Sequence, residues 1–241
     1  MKTKVFQALF PLILFIILIN SSCSPATPTP LSPDEIVQKA AQRMKSLSGF
    51  HFVIDRSGAS AFLDPAHTYS FRRAEGNFNA PDQAQASVRI IAPGLVAEIK
   101  IIGLGEKYWE TNILTGEWMA LPPEQGFNPA ILFDPKIGIQ PIIEMDLTEL
   151  VLSGIEEIEE LPGKQLYVVQ GKMKGERIYP MSYGLIGPDR MDITLWIDPK
   201  TFDIHRIVIT QPRQNDEPTI WTLDFWDFNK TIEILPPTSG S

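Results

Sequence analysis

Asp192-Ile193-Thr194-Leu195-Trp196-Ile197-Asp198 alternates polar and apolar side chains, and Ile204-His205-Arg206-Ile207-Val208-Ile209-Thr210 repeats the pattern after the connection Pro199 to Asp203. Alternation with period two over this length marks half-buried strands, and the short connection rich in turn-forming residues makes them a hairpin. Ile193, Leu195 and Ile197 fall on one face, matched by Ile207 and Ile209 on the neighbour and by Leu223 and Phe225 on a further strand predicted over Thr219 to Asn229. Gln165 to Met173 supplies another. The unit is an antiparallel sheet with one apolar face, and the rest of the chain has to cover that face.

The same period governs the first half of the chain. Phe50, Phe52 and Ile54 alternate with His51, Val53 and Asp55; strands are also predicted over Tyr69 to Arg73, Ser87 to Ile91 and Leu95 to Ile102, the last two separated by Pro93 and Gly94. Lys107 to Thr111 and Glu117 to Leu121 flank the turn residues Asn112 to Gly116, giving a further hairpin.

Helices read differently. Ser32, Pro33 and Glu35 form an N-cap, a first-turn proline and a capping-box glutamate. Ile36, Val37, Ala40, Ala41, Met44 and Leu47 then share one face, with Gly49 expected as the stop. Asn128 and Pro129 start a short helix to Phe133. A second is predicted from near Pro141 to just before Gly154, striped by Ile143, Leu147, Leu150 and Val151. Between Lys174 and Met191, Pro180, Gly184, Gly187 and Pro188 predict a long exposed loop carrying Tyr179, Met181 and Tyr183, either functional or a plain insertion. One α+β domain accounts for residues 32–241.

The N-terminus is not part of it. Lys2 and Lys4 precede an apolar run from Val5 to Ile19, and Asn20, Ser21, Ser22 and Cys23 follow. A charged start, an apolar middle and a small-residue end describe an export signal, too short to span a bilayer, over residues 1–22. Residues 23–31, with Pro25, Pro28 and Pro30, read as an extended tether. Over all 241 residues, 44% hydrophobic content supports a real core, and 21 basic against 29 acidic residues give a net charge of -8. That balance argues against nucleic acid as a partner, and the single cysteine excludes an internal disulfide or a multi-thiolate zinc site.

No catalytic constellation emerges. His51, His67 and His205 are far apart and none has metal-ligand spacing; Ser182 lacks the glycine two positions before it that a nucleophile elbow requires; phosphate-binding glycine loops are absent. Glu156, Glu157, Glu159 and Glu160 read as a solvated surface. The expectation is a non-enzyme with no metal and no cofactor. Trp196, Trp221 and Trp226, with Phe225 and Phe228, either fill a core or line an apolar pocket.

Ser21, Ser22 and Cys23 resemble a bacterial lipobox, with Asn20 where leucine is usual; in such proteins the cysteine, here Cys23, is lipidated and becomes the new N-terminus. The order of parts after it, namely the capped helix Ser32 to Leu47, the strand opening Gly49 to Phe52, the strand Leu166 to Gly171, the hairpin around Leu195 to Pro199 with Arg206, and the closing Leu223 to Asn229 with Ile232 to Pro236, resembles the LppX/LprA/LprF/LprG family of envelope lipoproteins, whose fold is related to LolA and LolB. The resemblance implies a strongly curved antiparallel sheet, an unclosed half-barrel, with helices over its concave face and a hydrophobic cavity between the layers. It implies a membrane-anchored carrier of the acyl chains of lipids or glycolipids. The anchor would be in the outside of the cytoplasmic membrane or another envelope membrane, with a possible envelope protein partner. By position it implies Phe52, Ile54, Phe71, Ile99 and Ile101 as cavity-facing. Ile143, Leu147, Leu195 and Ile197 are implied in the same role. An RseB-like sensor or interaction module without lipid is the alternative.

Overall fold

A computed structural model of the chain describes residues 30–122, 124–213 and 217–238. The export signal, Cys23 and most of the tether lie outside the described residues. Among the described residues no helix is long and apolar enough to cross a membrane.

Helix α1, Pro33–Lys45, is set by its cap. The Ser32 hydroxyl accepts from the Glu35 amide at 3.2 Å and the Glu35 carboxylate accepts from the Ser32 amide at 2.8 Å. Asp34 and Glu35 in the first turn and Arg43 and Lys45 in the last complement the helix dipole. The helix stops at a Ser46 cap, before the expected Gly49. That glycine instead opens strand β1, where a Cβ would come within 2.8 Å of the Phe78 carbonyl oxygen.

The strands are β1 Gly49–Gly58, β2 Ala61–Phe62, β3 Ser70–Asn79, β4 Gln83–Ala92, β5 Leu95–Leu104, β6 Lys107–Thr111 and β7 Trp118–Leu121. After them come a 3-10 turn at Pro129–Phe133 and helix α2, Ile139–Met145. The second run is β8 Thr148–Glu156, β9 Leu166–Lys174, β10 Arg190–Ile197, β11 Ile204–Gln211 and β12 Thr219–Trp226, with a one-turn helix α3, Ile178–Met181, between β9 and β10. They form one antiparallel sheet in the order β7-β6-β5-β4-β3-β1-β12-β11-β10-β9-β8, with β2 added beside β3. The sheet curves without closing, because β7 and β8 are its two free edges. Register shifts in β3, β8 and β10 add bend. The helices pack over the concave face, giving an α+β half-barrel.

Two expectations about the middle of the chain need correction. The helix predicted to run toward Gly154 ends at Met145, and the segment after it is edge strand β8. Leu147, Leu150 and Val151 fit a helical stripe only by coincidence of spacing. The β-branched Thr148, Val151 and Ile155 favour extended backbone, and β9 offers an unpaired ladder to complete. Leu150 and Leu152 turn inward while Val151 and Ile155 face solvent. The segment Lys174 to Met191 is not simply an exposed loop: it contains α3 and buries Ile178, Met181 and Ile186.

The concave face is divided in two. α1 lies on the β8 to β11 side, joined to α2 by a bond from the Gln38 amide to the Glu144 carbonyl at 2.8 Å and to the β10–β11 turn by Arg43 and Asp203 at 2.6 Å. Its buried Ile36, Val37, Ala40 and Ala41 belong to the same core as the fully buried Leu195, Ile197 and Ile207. At the centre Phe133 meets the rings of Phe50, Phe52, Phe78 and Phe225 with centroid distances of 4.9, 4.9, 5.2 and 6.2 Å. This aromatic wall ends the packed half.

Candidate functional site

On the other side of Phe133 the concave face is not filled. A cavity of about 510 Å³ lies between a floor from β1, β3, β4, β5 and β12 and a roof from the 3-10 turn, the loop before it and α3 with its following residues. The floor is low because Ala74 and Ala86 stand where larger residues would reach the roof. Gly76, directly opposite Ala86 in register, sits so close to β4 that a Cβ would come within 2.1 Å of the Gln85 carbonyl oxygen. Isoleucines and aromatics form the walls: Ile54, Ile90, Ile99 and Ile101 from the sheet, Phe71 and Trp221 from β3 and β12, and Phe127, Leu132, Ile178 and Met181 from above. At roughly 24 cal/mol per Å³, a sealed dry void of about 510 Å³ would cost about 12 kcal/mol, comparable to the ~5–15 kcal/mol stability of a whole domain. The volume falls within the ~300–1,000 Å³ of small-molecule sites.

Five of the nine residues expected to face a cavity line this one: Phe52, Ile54, Phe71, Ile99 and Ile101. The other four do not. Ile143 is buried in α2, Leu195 and Ile197 are fully buried in the half of the sheet that α1 covers, and Leu147 is half-buried in the link between α2 and β8. The pattern that puts Leu195 and Ile197 on the concave face is right; α1 occupies the space above that half. Of the tryptophans, Trp221 lines the cavity, while Trp196 and Trp226 are on the opposite face, Trp226 tilted against His51 with ring centroids 4.3 Å apart. The sequence marks the short helix at Pro129 to Phe133, found as the 3-10 turn, but not its place in a roof over the cavity, and residues 178–186 read as a loop despite their apolar content.

Among the described residues the cavity wall carries one charged group, Glu110 on β6, whose carboxyl is held above the ordinary glutamate range by burial. The histidines are elsewhere. His67 stacks on Phe62 at 4.3 Å, and His51 lies near Asn77 and Glu75. His205 is buried under Phe228 with Nε2 2.9 Å from the Lys164 ammonium, which also pairs with Asp198 at 2.9 Å. Among the described residues no group of three or more His, Cys, Asp or Glu side chains could hold a metal ion.

His205 gives a pH prediction. Burial, and secondarily the Lys164 charge, lower its pKa below 6.5. Below pH 6.5 the unfolded chain therefore binds a proton that the folded chain refuses, so stability is full above that pH and falls as pH drops through it. The slope for one proton is at most about 1.4 kcal/mol per pH unit. Urea unfolding of the wild type should weaken between pH 6.5 and 5, and His205→Asn should flatten that limb; an unchanged limb would refute the assignment.

The sequence pattern of the LppX_LprAFG lipoprotein family matches residues 32–234. Among solved structures, LprF from Mycobacterium bovis is similar at 18% identity, with 86% of this chain and 97% of that chain covered and a TM-score of 0.67. The lipoprotein LppX from Mycobacterium tuberculosis is similar at 14% identity, covering 83% and 97%, with a TM-score of 0.56. A search of curated proteins finds no match. At these identities the structural likeness speaks for the fold.

Proposed function

Because the chain belongs to the LppX_LprAFG lipoprotein family, we propose that it is a non-enzymatic lipid carrier of the cell envelope that holds acyl chains in the half-barrel cavity. The observation that carries the reading is the unfilled apolar volume of about 510 Å³ on the same sheet as the fully buried Leu195, Ile197 and Ile207. Acyl chains leave water with a gain of ~25 cal/mol per Å² buried, and these walls offer hydrocarbon contact with few polar groups to desolvate. Phe52, Ile54, Phe71, Ile99 and Ile101 would touch the chains, joined by Trp221 and the roof residues.

In this reading residues 1–22 direct export, Cys23 carries the lipid anchor, residues 23–31 are the tether and residues 32–241 the carrier domain. Two or more acyl chains on Cys23 would make attachment stable, at ~0.8 kcal/mol per buried methylene. The anchor keeps the cavity at the membrane where cargo is found.

Native mass spectrometry of protein isolated without detergent tests the proposal. The expected result is a mass excess that extraction identifies as acyl lipid. Lipid-free protein with a collapsed cavity would overturn it. Capture of one stoichiometric envelope protein, insensitive to added lipid, would favour the RseB-like alternative.

A further inference from the structure

Among the described residues Glu110 is the one charged side chain on the cavity wall. Its neighbours across the ladders are Ile101 on β5 and Met119 on β7. Burial alone accounts for its raised pKa, with no nearby charge contributing. Glu110 is half-buried, and cargo that drives out the remaining water leaves its carboxyl short of donors.

The remaining polar wall groups divide into used and free. Ser182 is used: its hydroxyl donates to the Tyr179 carbonyl and accepts from the Ile186 amide, both at 3.1 Å. Gln125 and Tyr183 are exposed and line the same cavity. Gly126, next to Gln125, packs so closely on Tyr108 that a Cβ would lie 2.6 Å from that ring, and Tyr108 is two residues from Glu110 on the same face of β6. Phe127 in turn meets the Tyr183 ring edge-on at 5.3 Å.

We propose that Glu110, with the exposed Gln125 and Tyr183 of the same cavity lining, receives the head group of the cargo and selects acyl lipids with uncharged, hydrogen-bond-donating heads over lipids with the same tails and an anionic head. The inference rests on the lipid-carrier reading and adds the head-group class. A hydroxyl donates to the carboxylate and satisfies it in the dry site. A phosphate or carboxylate head brings a second negative charge to a half-buried corner where, among the described lining residues, no cation stands to divide between them. The net charge of -8 acts in the same direction at longer range.

The test uses the full chain stripped of co-purified lipid, with dioleoylglycerol and dioleoyl phosphatidate as probes that differ in the head alone. Competition between them is read by native mass spectrometry. The wild type should prefer dioleoylglycerol. Glu110→Gln, which keeps size and an acceptor but removes the charge, should reduce that preference by about tenfold, equal to ~1.4 kcal/mol, chiefly through gained phosphatidate binding. Glu110→Leu should instead weaken dioleoylglycerol itself. Both probes binding with the same ratio in the wild type and Glu110→Gln would overturn the head-group assignment and leave the carrier reading standing. Neither probe binding to any of the proteins would overturn the carrier reading and this inference together.

Discussion

Ala74→Phe is expected to lower lipid occupancy by at least tenfold while leaving the domain folded. Ala74 lies on the cavity floor in register with Ile54 on β1 and Val88 on β4, all three lining the open volume. A benzyl group added there has empty space above it, so it takes the position of an acyl chain rather than that of a neighbour. Forcing extra atoms into a packed core costs ~1–3 kcal/mol, but a ring entering an existing void regains part of that by contact. The paired measurements are bound-lipid mass and thermal unfolding. A folded variant that still carries a full complement of lipid would place the cargo elsewhere. Ala84→Phe is the contrasting substitution: Ala84 is fully buried and is not among the cavity-lining residues, so it should lose stability instead.

Phe133→Ala carries the largest expected loss of stability. Its ring is buried, contacts four other phenylalanines and stands where the packed half of the concave face meets the cavity. Truncating a buried phenylalanine costs ~3–5 kcal/mol, because the surrounding atoms relax only partly into the space. Here the space also joins an existing void, so relaxation recovers less. Urea unfolding should report a midpoint shift with the slope nearly unchanged. A loss below ~1 kcal/mol would mean that the aromatic cluster is not a structural wall.

The local signals were direct where one physical rule dominated. Ser32, Pro33 and Glu35 fixed the start of α1, and alternation in Asp192 to Thr210 fixed a hairpin whose inward residues are those observed. The signals failed where two rules competed. Leu147 to Val151 satisfies a helical spacing, and the open edge of β9 draws the segment into a strand. Residues 174–191 are rich in loop formers, yet Ile178, Met181 and Ile186 find apolar surface to cover. The candidate site follows the same division: the five wall residues from β1, β3 and β5 were implied by position through the family resemblance, whereas Glu110 and the roof were not.

What the sequence determined by itself, in α1 and in the strands that alternation marks, was which side chains face inward, since a strand's alternation and a helix's stripe are local properties of the chain. It could not determine which inward-facing residues meet a covering element and which face open space. Leu195 and Ile101 carry the same kind of signal, and one is sealed beneath the α1 half while the other borders the cavity. That difference arises from where α1, α2 and Phe133 come to rest across a curved sheet, a matter of long-range packing volume that no window of neighbouring residues records.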